Sequence, residues 1–389
     1  MGFIKKLFCL ISIGLIGPGC KIEYRPPVAS PTTGYLVVEG FINSDSGPTS
    51  ITLSRTLKVY DDSSRDNREH NAIVNIEGTN NESFPLYETG DGVYTSSPLQ
   101  LNSGEKYRVR IKTQYGKEYE SDYSSYRTTP DIDSLSWKRD VNGVKIYINT
   151  HDDKVQPGYY NWKYQETWEI HSIYYSTVQF IYPPGNPIPF SVGYRNKDQL
   201  PDTALYKCWQ EVPSSNINIG SSEKLNRNLI YFPIMLIEPQ SRKLSVRYSI
   251  KVFQYAVSKE EYNYLKILKT NSEEIGSITG PLPSEMTGNI HCLTTPSETV
   301  IGFVEVTQEK QSERLFISNS QVPGWGYKMQ CAQQIVGNDP ASLRDNSDLY
   351  PTTVYQSDPL GIKSFYATPE INCVDCRLNG SSIKPDFWP

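Results

Sequence analysis

From residue 35 onward, apolar and polar residues alternate with period two over short runs, the spacing of half-buried β-strands. Tyr35 to Ile42 reads as the first strand, and Ser50 to Arg55 alternates in the same way. A charged tip, Asp61 to His70, separates these from a strand at Ala72 to Glu77. Gly90-Asp91-Gly92 marks a turn before Val93-Tyr94. Lys106 to Thr113 sets Tyr107, Val109 and Ile111 against Lys106, Arg108, Arg110 and Lys112, then turns at Tyr115-Gly116-Lys117 and returns through Glu118 to Tyr123. Short strands at this spacing predict an immunoglobulin-like β-sandwich over 35–130.

A second β-rich, sandwich-like unit with one short helix is expected over 131–389. Ser134 to Trp137 and Val144 to Thr150 face each other across Asn142-Gly143, a hairpin signal. Tyr159 to His171 is the most patterned run. Its even positions carry Tyr160, Trp162, Tyr164, Glu166, Trp168 and Ile170, and its odd ones are polar. That face is either a core face or an aromatic platform for a sugar or peptide. If it is core, Glu166 must accept hydrogen bonds from a Tyr or Arg of a neighbouring strand, because a lone buried carboxylate is costly. Residues 172–205 form a long excursion rich in aromatics and proline, with Tyr174, Tyr175 and Tyr182 as further candidate contacts. Leu244 to Val257 reads as a strand entering a helix to about Asn271, with Ser258 and Glu261 spaced as a capping box. The ending, Phe387-Trp388, is expected to plug into this unit.

Periodicity of another kind opens the chain. Lys5 and Lys6 precede the apolar run Leu7 to Ile16, followed by Gly17-Pro18-Gly19-Cys20. Ten apolar residues fall short of the roughly 20 that span a bilayer as a helix. A charged start, a short apolar core and small residues describe a signal peptide over 1–20. The cysteine after Gly19 points to lipidation of Cys20, and residues 21–34, with three prolines, to a tether.

Composition narrows the function classes. Without Lys5 and Lys6, 36 of the 38 basic residues face 43 acidic ones, and no basic block survives to attract nucleic acid. The 28 tyrosines suit exported β-sheet surfaces. Cys208, Cys292, Cys331, Cys373 and Cys376 would then lie in a disulfide-permitting compartment. Cys373-Val374-Asp375-Cys376 is open to a structural disulfide, a metal site completed by Cys292 or His291, or a redox pair. A bridge from Cys331 to Cys373 or Cys376 is the expectation.

Four stretches, in order, resemble the domain of unknown function 4249 family of Bacteroidota-type outer-membrane lipoproteins. They are Tyr35 to Gly40; Gln254 to Ser258 leading into Tyr262; Gly288-Asn289-Ile290 with Pro296 and Val300 to Phe303; and Cys373 to Cys376 with Lys384 to Trp388. The resemblance implies a lipid-anchored, non-catalytic accessory or binding subunit beside a TonB-dependent receptor, and supplies no catalytic residues. Lys21-Ile22-Glu23 matches only part of a surface-display signal, so either face of the outer membrane stays open.

No GxSxG, HExxH, Walker or EF-hand pattern occurs, and no catalytic residue, cofactor or metal is expected. His151-Asp152-Asp153 is the best small cluster, a Ca²⁺ candidate against a solvated strand end. A receptor-accessory lipoprotein, a free-standing glycan- or peptide-binding surface protein and an enzyme are the three classes in play, in that order. Replacing Cys20 by Ala should shift the protein from the membrane to the soluble fraction and remove fatty acyl mass. Intact-mass analysis and fractionation check this, and a wild-type chain without acyl groups overturns the anchor.

Overall fold

The computed structural model describes residues 34–57, 66–153, 158–274 and 288–389. Cys20, the signal peptide and the tether up to residue 33 lie outside the described residues, as does part of the 61–70 tip.

The first strands are β1 (Leu36–Asn43), β2 (Pro48–Arg55), β3 (Ile73–Gly78), β4 (Ser83–Gly90), β5 (Val93–Pro98), β6 (Lys106–Lys112), β7 (Glu118–Ser121) and β8 (Ser124–Ser125). Those of the middle are β9 (Ile132–Asp140), β10 (Gly143–His151), β11 (Tyr159–His171), β12 (Val178–Ile181), β13 (Ser191–Tyr194), β14 (Lys207–Pro213), β15 (Asn218–Ser221), β16 (Leu229–Ile237) and β17 (Arg247–Ala256). The last third adds β18 (Ile290–Cys292), β19 (Val300–Gly302), β20 (Val306–Thr307), β21 (Glu309–Gln311), β22 (Leu315–Ser318), β23 (Gln334–Gly337), β24 (Tyr350–Asp358) and β25 (Gly361–Thr368). Helices are short: α1 (Thr203–Tyr206), α2 (Lys259–Lys269) and α3 (Pro340–Asp345). The mainly β, sandwich-like architecture expected from the alternation is present.

The first lobe is one curled sheet in the order β18-β7-β6-β3-β4-β5-β2-β1-β19, with β20 also on β1 and β8 on β6. Its two ends, β18 and β19, lie beside each other, so the sheet nearly closes on itself. The alternating residues Leu36, Val38, Ile51, Leu53, Val74, Ile76, Tyr107, Val109 and Ile111 fill its core together with Ile290, Val300, Val304 and Val306. The 35–130 span therefore omits a piece: residues 290–307 return to this lobe, and β19 and β20 pair parallel to β1. No local pattern announces a parallel pairing across more than 250 residues, because its hydrogen bonds are set by where the chain has travelled.

The second lobe packs the β14-β11-β17-β21 sheet against the β16-β10-β9 sheet. β11 is central, with β14 and β15 on one side and β17 on the other. Its even face is the interior of that sandwich, where Tyr160, Trp162, Tyr164 and Trp168 pack with Val144, Ile146, Ile148, Ile230 and Ile234. Glu166 accepts from the Tyr248 hydroxyl of β17 at 3.0 Å and from Lys243 Nζ at 2.7 and 2.9 Å. The neighbouring-strand tyrosine is as expected; the cation is a lysine from the 3₁₀ turn Arg242–Leu244 rather than an arginine.

A third, smaller core joins the hairpin β12–β13 to β23-β25-β24 through Val178, Val192, Val336, Leu343 and Phe365. The 172–205 excursion thus has its own partner within 334–368. Two disulfides tie the chain end to these parts. Cys331–Cys373 is one of the bridges the spacing left open, and Cys376 pairs instead with Cys208, while Cys292 is free and buried. Of the Phe387-Trp388 pair expected to plug in, Trp388 is buried, with Nε1 donating to Glu169 Oε2 at 3.0 Å, whereas Phe387 stays exposed beneath the Arg314 guanidinium.

Buried Gln254 accepts from Trp162 Nε1 at 2.7 Å and donates to the Pro130 carbonyl at 2.8 Å and the Thr150 hydroxyl at 3.1 Å. It joins the lobe core to the segment arriving from the first lobe. Gln254→Leu removes all three bonds at similar volume, and each orphaned buried group costs about 1–3 kcal/mol. Urea unfolding should show a loss of several kcal/mol, and a variant as stable as wild type would contradict this role.

Candidate functional site

Where the lobes meet, a cleft of about 780 Å³ opens between β1 and β19 on one side and β11, β17 and α2 on the other. Its walls follow from strand alternation. The odd positions of β11 that point away from the core, Asn161, Lys163 and Gln165, form one wall beside Phe253 and Tyr255 of β17. The outward positions of β1, Val37 and Glu39, form the facing wall with Ile301 and Phe303. Gly40 and Gly302 keep that wall flat. Their φ values are +138° and +152°, and a Cβ at either would lie 2.4 Å from a carbonyl oxygen of the neighbouring strand. Helix α2 covers the end with Glu261, Tyr264, Leu265 and Leu268, the i, i+3, i+4, i+7 face of an amphipathic helix. On this helix Leu265 and Leu268 are half-buried and line the cleft, Tyr262 packs against Tyr159, and Tyr264 is buried.

Two aromatic layers support the floor. Phe41 meets Tyr255 at 4.8 Å between ring centres, and Tyr264 meets Phe303 at 5.6 Å. The Tyr255 hydroxyl donates to Glu309 Oε2 at 2.6 Å; burial, with the Glu309 charge beside it, keeps this phenol protonated far above its usual range. Burial also raises the Tyr264 phenol, and the charges of Glu39 and Glu261 add to the rise against a hydrogen bond with the Gly302 backbone. Burial pushes the Glu261 carboxyl well above the usual carboxyl value; the charge of Glu305 and a hydrogen bond with it add to this, and Arg127 and Lys163 oppose it. The lining thus offers carboxyls, one amine, amides, hydroxyls and apolar faces, and holds neither histidine nor cysteine. Such a set can hold a ligand by shape, hydrogen bonds and apolar contact.

The candidate contacts foreseen in the sequence fall elsewhere, with one exception. Tyr160, Trp162 and Trp168 are core residues, so no aromatic platform faces solvent on β11; Trp162 stacks on Phe232 at 5.0 Å inside the sandwich. Tyr164 is buried too but borders the cleft. Of the two readings of this face, the structure has the core one, because a second sheet covers the aromatic side, and the cleft borders the opposite face of the strand. Tyr174 donates to the Cys331 carbonyl at 2.8 Å, Tyr175 stacks on Tyr206 at 3.9 Å, and half-exposed Tyr182 meets Phe180 edge-on. None of these three lines the cleft. His151 pairs with Asp133 at 2.7 Å, and no group of three or more metal-ligating side chains occurs among the described residues.

Outside the cleft, Glu169 of β11 is a buried carboxylate. Burial pushes its carboxyl up, but hydrogen bonds from His171, Lys207 and Trp388 outweigh this and hold it at about 2. It fastens the chain end to β11.

A mainly β protein with a mixed polar and apolar cleft between two lobes is the class this geometry defines. The sequence profile of one family, domain of unknown function (DUF4249), matches residues 22–313, and the chain belongs to that family. The match covers the first lobe and the cleft and ends before Cys331, Cys373 and Cys376. No curated protein matches the chain. Among solved structures, the chain is similar to a crystal structure of a candidate carbohydrate binding protein from Bacteroides uniformis, at 8% identity. That comparison covers 73% of this chain and 98% of the other at a TM-score of 0.15, too low to transfer fold or ligand.

Because the folded Glu169 value lies below the ordinary 4.5, the stability it contributes is present above that value and lost as pH falls toward about 2. Glu169→Gln should flatten the acid limb of the melting temperature across this window. An unchanged acid limb in the variant would contradict the assignment.

Proposed function

We propose that the protein is a non-catalytic binding subunit, lipid-anchored to the outer membrane through Cys20, working beside a TonB-dependent receptor. The observation that carries the binding role is the junction cleft, about 780 Å³ and lined by half-buried Phe253, Phe303, Leu265 and Leu268 among polar groups such as Glu39 and Asn161. Volumes of this order suit small ligands or a short stretch of a polymer. The anchor rests on the charged, apolar and small-residue order of residues 1–20, and the receptor partnership on family membership. Position between two lobes means that a bound ligand touches both, so occupancy and lobe arrangement are linked. A free-standing glycan- or peptide-binding surface protein is the second reading, favoured by the exposed Ile181, Tyr182, Ile188 and Phe190 around the β12–β13 hairpin.

Tagged protein extracted in mild detergent should bring down an outer-membrane β-barrel; a lone monomer overturns the accessory role and leaves the free-standing one. Phe303→Ala should weaken retention of any co-purifying small ligand or peptide by about tenfold, the loss of roughly 1.4 kcal/mol of aromatic contact. Retention unaffected by Phe303→Ala would place the ligand elsewhere.

A further inference from the structure

The two walls of the junction cleft carry opposite charges. Glu39 is an exposed outward position of β1, and Lys163 is an exposed outward position of β11 on the facing wall. No ion pair joins them. Among the described residues, neither the Glu39 carboxylate nor the Lys163 ammonium is held by a salt bridge or a hydrogen bond. Other polar side chains of the lining are already engaged. Glu309 accepts from the Tyr255 hydroxyl at 2.6 Å and from Gln311 Nε2 at 2.7 Å, and Gln165 is held between Glu211 and Arg314. The lining also presents the apolar side chains of Phe253, Phe303, Leu265 and Leu268 and the amides of Asn161 and Asn216.

We propose that the ligand of this cleft is a short peptide with free ends, its terminal amine against Glu39, its terminal carboxylate against Lys163 and an apolar side chain against Phe253 and Phe303. This names the ligand class of the binding role given above and rests on the cleft being the binding site. The physical reason is desolvation. A ligand that fills the cleft takes water from Glu39 and Lys163 together, and a charge left dry without a partner is strongly penalised. A neutral sugar leaves both charges uncompensated. A fatty acid leaves Glu39 so, and a plain amine leaves Lys163. A zwitterion answers each charge with its opposite, in charge-assisted hydrogen bonds about twice as strong as neutral ones.

Size and polarity extend this from an amino acid to a peptide. A cleft of about 780 Å³ is larger than one amino acid needs. The side-chain amides of Asn161 and Asn216 can each donate and accept, which suits peptide groups lying between the two ends. An internal stretch of a protein has neither charged end, so the cleft selects peptides over intact chains. Glu39 belongs to the first lobe and Lys163 to the second, so the bound peptide ties one lobe to the other through its termini.

Isothermal titration of the full mature chain in detergent tests this with alanyl-phenylalanyl-alanine and alanyl-leucyl-alanine. Each is used with free ends, N-acetylated, C-amidated and blocked at both ends. Either single block should weaken binding about tenfold, and the double block about a hundredfold. Glu39→Gln should weaken the free peptides about tenfold and abolish the effect of N-acetylation while keeping that of C-amidation. Lys163→Met should do the converse. Misfolding does not produce that crossed pattern, because it weakens all four forms alike. Four outcomes overturn the peptide: blocked forms that bind as well as free ones, no binding of either free tripeptide, free phenylalanine binding as tightly as both, or the same block sensitivity in wild type and the two variants. The binding role of the cleft is judged separately, by whether Phe303→Ala releases a co-purifying ligand. Release of a ligand that is not a peptide leaves that role standing and removes the peptide alone.

Discussion

The arrangement of this molecule depends on a buried polar seam where the chain passes between its lobes. Thr129 donates to the Gln308 carbonyl at 2.7 Å and accepts from the Ala256 amide at 3.0 Å; Thr307 donates to the Ala256 carbonyl at 2.8 Å. Asn289 bonds both the amide and the carbonyl of Val304. All four of Thr129, Asn289, Thr307 and Gln254 are buried. Buried polar groups are costly unless their partners sit at the right distance and angle, so a fully paired set admits one relative placement of the lobes and penalises others. Apolar contacts around Phe41, Tyr159, Tyr255 and Val257 add attraction to the seam but little direction.

The cleft is a consequence of that placement. Neither lobe contains it: β1 and β19 contribute one wall, β11, β17 and α2 the other. Val37 and Glu39 of β1 and Asn161, Lys163 and Gln165 of β11 are outward positions of strands whose inward positions build a core, so these walls form without disturbing either sandwich. The same logic holds at the chain end, where Trp388, Glu169 and the Cys208–Cys376 bridge close the second lobe. The third core closes through Cys331–Cys373 in like manner.

Much of the β framework was legible locally. The bounds of β11 coincide with the alternating run, and the hairpin β9–β10 turns one residue earlier than the Asn-Gly signal, at Val141-Asn142, with Gly143 opening β10 at a φ of +126°. The capping serine of α2 and the need of Glu166 for a tyrosine were equally readable, since each follows from a cost borne within a few ångströms. The site was not. Period two says that residues of β11 alternate between two faces, but not which face another sheet will cover, and aromatic residues suit a core as well as a platform. The polar odd face, dull in sequence, is the one left open.

By itself, the sequence determined the secondary-structure alphabet, the mainly β class, the family resemblance and the expectation of a lipidated Cys20, because these rest on neighbours in the chain. Tertiary structure alone decided that 290–307 returns to the first sheet, that Cys376 bonds Cys208, and that Glu305 takes the amide which the capping box assigned to Glu261. Each of these joins residues more than 40 positions apart, and such partners are chosen by which surfaces can be buried together with their polar groups satisfied. That condition belongs to the whole folded chain and to no segment of it.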